Sequence, residues 1–199
     1  MATTLKYRVT FTEGVLGTQT ADPEIYENFI GSKAPDAQTL EEEIAAVGAD
    51  AVVDKTMTVF PRTKEGVPFL YDYQVKGFFK DSCSALARVP ETKSAKVKAY
   101  KKIIDGCIFP EPRQIPFEVN GEIGLCQRPL RAQTAQGERI ALACSEELPA
   151  GTSCEFSVVC LNEAHAALVR EWMEYGKYKG FLQWRNSGKG RFTYEEIPA

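Results

Sequence analysis

Three observations predict an α+β fold for this chain. Strand-like runs of alternating hydrophobicity are spread along its length, a few segments carry helical periodicity, and the two kinds do not alternate as regular strand–helix units. With 199 residues, 44% hydrophobic and 11% aromatic, there is ample apolar material for a core, and one compact domain is expected.

The run LKYRVTF, residues 5–11, alternates with Tyr7, Val9 and Phe11 to one side and predicts a central strand. ADPEIYENFIGSK opens a helix, with Asp22 as N-cap, Pro23 at the first helical position and Glu24 in the first turn. AQTLEEEIAAVG fits a second helix ending at Gly48. TMTVFPRTKEGVPFLYDY reads as two strands joined by the turn KEG. Val75, Phe78, Phe79, Ser82 and Leu86 recur at helical spacing and predict a helix over 74–88. PETKSAKVKAYKKIIDG fits a short, exposed, basic helix, followed by the proline-broken extended run CIFPEPRQIPFEV. RPLRAQT and ERIALACSEEL are strands around the turn AQGE, and SCEFSVVCL is a strand after the turn PAGT. Over 163–175 a helix is capped by Asn162, carries Ala164, Leu168, Trp172 and Tyr175 on one side, and stops at Gly176. RFTYEEI, residues 191–197, is the last strand, expected to pair with the first.

The net charge of −3 argues against a general DNA-coating protein, but its distribution is uneven. Residues 1–54 hold ten acids against three bases, which leaves the rest of the chain at +4. Two runs are purely basic: Lys93, Lys96, Lys98, Lys101 and Lys102, then Lys177, Lys179, Arg185, Lys189 and Arg191. Six cysteines without a C-x-x-C pair, and one histidine, give no zinc ligand set, so neither metal, cofactor nor disulfide is expected. No signal-like segment follows Met1 and no apolar run reaches membrane-spanning length, so the expectation is a cytoplasmic protein with free thiols and no membrane partner.

The stretch QWRNSGKGRF raises the main functional question. Glycines such as Gly188 and Gly190 let main-chain N–H groups approach a phosphate, Arg185, Lys189 and Arg191 supply charge, Ser187 a hydroxyl, and Trp184 a stacking face. The same composition fits a solubilising turn. The lysines at 93–102 read either as further phosphate contacts or as a solvated face, and Glu41–Glu43 as a solvated face or a surface meeting a basic partner. His165 lies inside an amphipathic helix, where a structural role fits better than acid–base catalysis.

Three stretches, in order, resemble the CRISPR-associated RAMP superfamily: GVPFLYDYQVKGFFKDSCSAL, SEELPAGTSCEFSVVCL and GKYKGFLQWRNSGKGRF. They span roughly residues 57–196, with YDYQ replacing the small residues usual before the lysine–glycine pair. The subgroup it is most similar to is the backbone subunit lining guide RNA in type I and type III effector complexes, and a further similarity is to bacteriophage proteins. The resemblance implies a modified RRM or ferredoxin-like domain over 1–199, β-α-β-β-α-β with an antiparallel central sheet. It also implies a divergent helical insertion at 12–56 and an extended, hairpin-bearing region at 107–161. It further implies that Lys76 and Gly77, opening a helix, face RNA backbone. The hairpin carrying Arg128, Arg131 and Arg139, with Gln133, Thr134 and Gln136 at its tip, would reach along RNA and into a neighbouring subunit; a charged edge that resists aggregation is the alternative. Asp22, or secondly Asp36, stands near the aspartate with which type III backbone subunits cut target RNA, although an N-cap role fits Asp22 better.

Three functions follow. The first is a non-enzymatic protein that binds single-stranded RNA or a nucleotide through Lys76, Gly77, Arg128, Arg131, Lys177, Lys179, Trp184, Arg185, Ser187, Gly188, Lys189, Gly190 and Arg191, partnered by CRISPR effector subunits or by itself. The second is a phage anti-defence protein that mimics such a subunit or sequesters a nucleotide immune signal. The third is a metal-dependent ribonuclease using Asp22.

Overall fold

The computed structural model describes residues 2–21, 57–134 and 137–198, with the backbone alone over 130–134 and 137–141. Strand β1 (Thr3–Phe11) buries Leu5, Tyr7, Val9 and Phe11 and turns Lys6 and Arg8 outward, as its alternation dictates. It pairs antiparallel with β10 (Ser153–Cys160), Tyr7 opposite Phe156, and with β11 (Phe192–Ile197), Phe11 opposite Phe192. On its other side β10 receives β6 (Ile108–Glu111) and β7 (Gln114–Glu118), and β5 (Phe69–Tyr71) adds beyond β7. Helices α1 (Asp72–Leu86) and α3 (Glu163–Tyr175) bury Val75, Phe78 and Phe79, and Val169, Trp172 and Met173, in the same hydrophobic core.

Along the chain this frame runs β1, α1, β6 with β7, β10, α3, β11, and across the sheet the order is β11–β1–β10–β7–β5. Strand–helix–strand, repeated, with the last strand beside the first and the third beside the first on the other side, is the ferredoxin-like arrangement. The chain ends therefore pair as expected.

A second sheet is added by the insertions. It contains β2 (Val15–Leu16), β3 (Gln19–Thr20), β4 (Thr58–Val59), and the long hairpin β8 (Gly124–Thr134) and β9 (Gly137–Leu148). Its order is β2–β9–β4–β3 with β8 on β9, and it is antiparallel except where Thr58 meets Ser145. This sheet carries Ser145, Glu146 and Glu147.

Several expectations are corrected. The two strands read around KEG belong to different sheets; the arms between them are joined by a bridge between Arg62 and Pro68, a Phe69 N–H to Pro61 O bond of 3.0 Å and a Thr63 N–H to Val67 O bond of 2.8 Å. Asp72 and Tyr73 are helical, so α1 begins before Lys76. The basic segment is a 3₁₀ turn at Ser94–Lys96 followed by the helix α2 (Tyr100–Cys107). Gly176 ends α3 as expected, but in right-handed geometry; a Cβ there would come within 2.1 Å of the Phe192 ring, so the glycine serves close packing. The helices expected between Asp22 and Gly48 lie outside the described residues.

Candidate nucleic-acid interface

The glycine-rich loop after α3 is fastened to the core at its neck. Phe181 is 1% exposed and stacks on Phe192 at 4.7 Å. Gly180 and Gly190 lie back to back: a Cβ on Gly180 would fall 1.8 Å from Gly190 backbone, and one on Gly190, where φ is +71°, 2.3 Å from the Phe181 carbonyl oxygen. The Phe181 N–H donates to Gly190 O (3.0 Å), and the Gly190 N–H donates to Gly14 O (2.9 Å). Within the tip, Ser187 N–H bonds Trp184 O and Gly188 N–H bonds Arg185 O, both at 3.1 Å. The glycine N–H groups expected to meet a phosphate at 188 and 190 are thus already committed; Gly180 and Gly190 serve close packing, and Gly188 a turn with φ +91°.

The loop's cations are held as well. Asp81 of α1 binds Arg185 Nη1 at 2.9 Å and Lys179 Nζ at 3.2 Å. Lys189 Nζ meets Glu147 of β9 at 2.5 Å, Lys177 meets Glu174 at 2.6 Å, and Arg191 Nε donates to Tyr178 O at 3.0 Å. Such half-exposed pairs contribute little to stability, but they fix where each charge points.

Trp184 takes left-handed backbone geometry, φ 55°, and the residue is 40% exposed. The Arg128 guanidinium carbon lies 4.9 Å from the ring centroid. Arg128 is itself only 8% exposed, donating to Gln183 Oε1 (3.1 Å) and Ser145 Oγ (3.3 Å). Gln183 Nε2 donates in turn to Gly17 O and to Thr58 Oγ1 (2.9 Å), and Thr58 Oγ1 donates to Ser145 Oγ (2.8 Å). A buried cation held by a hydrogen-bonded knot therefore backs an indole. Beside the indole lies an open recess of about 420 Å³, lined by Lys179, Leu182, Gln183, Trp184, Arg185 and Asn186. An aromatic plane with two positioned cations can stack a nucleobase and meet its phosphate.

Sequence reasoning named Trp184, Lys179, Arg185 and Arg128, and these converge; Arg128 forms the back of the site instead of an exposed hairpin edge. It missed Gln183, Ser145, Thr58 and Asp81, polar residues with no motif around them. Ser187 sits at the exposed tip beside Gly188, and Lys177 and Arg191 are exposed near the neck. Lys76 and Gly77 do not open a helix. They lie a turn inside α1, where Lys76 Nζ donates to Asp105 O (3.3 Å) and rests 4.8 Å from the Phe109 ring centre. The true start of α1 is occupied by Asp72, paired with Arg113 at 2.6 Å, and by Gln74 Oε1 accepting from Tyr71 N–H at 2.7 Å.

The side chains of Arg131, Gln133, Thr134 and Arg139 lie outside the described residues, as do Gln136, Asp22, Asp36 and Glu41–Glu43. Asn162 Oδ1 accepts from the His165 N–H (2.8 Å), while His165 Nδ1 is buried without a partner among the described residues. All six cysteines are free; burial raises the thiols of Cys83 and Cys154 and pushes Cys160 up to about 11. Among the described residues no group of three histidine, cysteine or carboxylate side chains could hold a metal, and no helix is long and apolar enough to cross a membrane.

No protein-family model and no curated relative matches the sequence. Solved structures do match its fold. A chain of the cryo-EM structure of the type III-B Cmr-beta bound to cognate target RNA superposes with a TM-score of 0.54 and 9% identity, over 99% of this chain and 60% of that one. The present chain thus spans about 60% of that chain's length, and at this identity the likeness is one of fold: a ferredoxin-like α+β domain with an inserted hairpin.

Proposed function

We propose that this chain is an RNA-binding, non-enzymatic protein of the CRISPR-associated RAMP type, acting as one domain and taking a single-stranded RNA segment or a phosphate-bearing nucleotide at Trp184. The observation that carries the reading is the Trp184–Arg128 stack with Lys179 and Arg185 beside it. A half-exposed indole backed by a buried arginine is a costly arrangement for a surface turn, and a planar ligand gives it a use. The fold likeness to a chain from an RNA-bound Cmr complex agrees with this, and it makes effector subunits or further copies of the chain the natural partners.

The test is anisotropy of labelled oligouridylate across a salt series. Trp184→Ala should weaken binding by roughly tenfold with an unchanged salt slope, because stacking releases no counterions and contributes about 1–3 kcal/mol per base. Arg185→Ala with Lys179→Ala should instead make the slope shallower by about 0.7 per lost contact. Equal affinity of wild type and Trp184→Ala for RNA and nucleotides would remove the reading.

A further inference from the structure

A second concave site lies away from the glycine-rich loop, between the turn at 91–97 and α3. Its floor is aliphatic, made by Val97, Ala164, Ala167 and Leu168, its rim carries Glu91, Lys93 and Lys96, and its volume is about 290 Å³. Lys98, Lys101 and Lys102 follow in the chain, exposed, and none of the five lysines has a carboxylate partner among the described residues. Glu171 of α3 is spent on the turn itself. It accepts from Lys93 N–H (2.7 Å), Ser94 N–H (3.0 Å) and Ser94 Oγ (2.5 Å), and Ser94 Oγ accepts from the buried Trp172 Nε1 (3.0 Å). Thr92 Oγ1 adds a bond to Leu86 O (2.8 Å) and receives one from Ala95 N–H (3.2 Å). The turn is therefore held rigidly while its lysines are left without an ion-pair partner among the described residues, a surface that loses little freedom when something docks on it.

We propose that this recess docks an acidic peptide segment of a protein partner, one aliphatic side chain entering the recess and the flanking carboxylates meeting Lys93, Lys96 and Lys98. Charge complementarity selects an anion. The floor selects the kind of anion: no aromatic ring lines the recess to stack a base, as single-stranded RNA sites require, whereas four aliphatic side chains suit a leucine-sized anchor. Lys80 and Lys76 on one flank of α1 contact Asp105 of α2, and Asp81 on another flank holds the glycine-rich loop, so α1 stands between the lysine-bearing segment and the Trp184 site.

The experiment titrates full-length protein into two labelled peptides, one of glutamates interrupted by leucines and one of glutamates alone, and into oligouridylate. The leucine-bearing peptide should bind about tenfold more tightly than the glutamate peptide, as burial of one aliphatic side chain allows. Ala164→Phe, which fills the recess from an exposed helical position, should erase that difference. Lys93→Gln with Lys96→Gln should weaken both peptides, and Trp184→Ala should leave both unchanged while weakening RNA, which separates this site from the RNA reading. Absence of peptide binding, equal affinity for the two peptides, or loss of RNA instead of peptide binding in the lysine variant would overturn the proposal.

Discussion

The glycine-rich loop and the segment at 93–102 carry five cations each, yet they present opposite electrostatics. In the loop four of the five meet a carboxylate and the fifth a carbonyl oxygen, so the charge is directed but largely neutralised. In the lysine segment none is paired with a carboxylate among the described residues, and Glu171 of α3 is turned to the Lys93 and Ser94 N–H groups and the Ser94 hydroxyl. The first arrangement fixes where each charge points; the second gives long-range attraction and little orientation. Counting lysines and arginines along a sequence cannot separate the two.

The comparison breaks most visibly at the loop's neck. Gly180→Ala should destabilise the protein by about 3 kcal/mol in denaturant unfolding, since a Cβ would overlap Gly190 backbone that cannot withdraw. An ordinary solvated turn would tolerate it. Next, Arg128→Ala removes a buried cation together with its bonds to Gln183 and Ser145, and should cost on the order of 2 kcal/mol while increasing the mobility of Trp184, read by fluorescence anisotropy. Asp81→Asn sharpens the contrast from the other direction. Freeing Lys179 and Arg185 should steepen the salt dependence of RNA binding by about 1 with a stability change of less than about 1 kcal/mol, whereas neutralising any acid near 93–102 should do nothing to RNA.

The smallest effect concerns pH. The Lys177 ammonium, and then the Tyr194 hydroxyl at 2.9 Å, hold the Glu174 carboxyl below its usual range. A carboxylate depressed in the folded state contributes stability that is present above its unfolded pKa and is lost as pH falls through the folded value. Melting temperature should therefore decline slightly on acidification below the ordinary carboxylate range, and Glu174→Gln should flatten that decline. The effect is small because the pair is exposed.

What was legible in the sequence is what is decided locally. Strand β1 and helix α3, with its Asn162 cap, follow from alternation, periodicity and a capping side chain, all contained within a few residues. The start of α1 was misplaced because its cap is unconventional: Gln74 reaches back to Tyr71 N–H where a serine or aspartate would have marked the boundary. At the site the cations were legible and their neutralisation was not. Asp81 lies 104 residues from Arg185 and Glu147 lies 42 from Lys189, and only the folded chain brings them together. The knot of Thr58, Ser145 and Gln183 is similarly non-local, three unremarkable polar residues drawn from two sheet strands and a loop.

The paired glycines at the neck have a consequence for how this surface can diversify. Because Gly180 and Gly190 seal the loop's two arms against each other and against Gly14, the ends of the exposed tip stay fixed, while Phe181, Gln183 and Arg185 tie the arms to the core, to Thr58 and Ser145, and to Asp81. Substitution at Asn186 and Ser187, both exposed, should leave that frame undisturbed. Ligand preference can thus drift by exchange at the tip without renegotiating the fold, while the two waist positions admit no side chain at all.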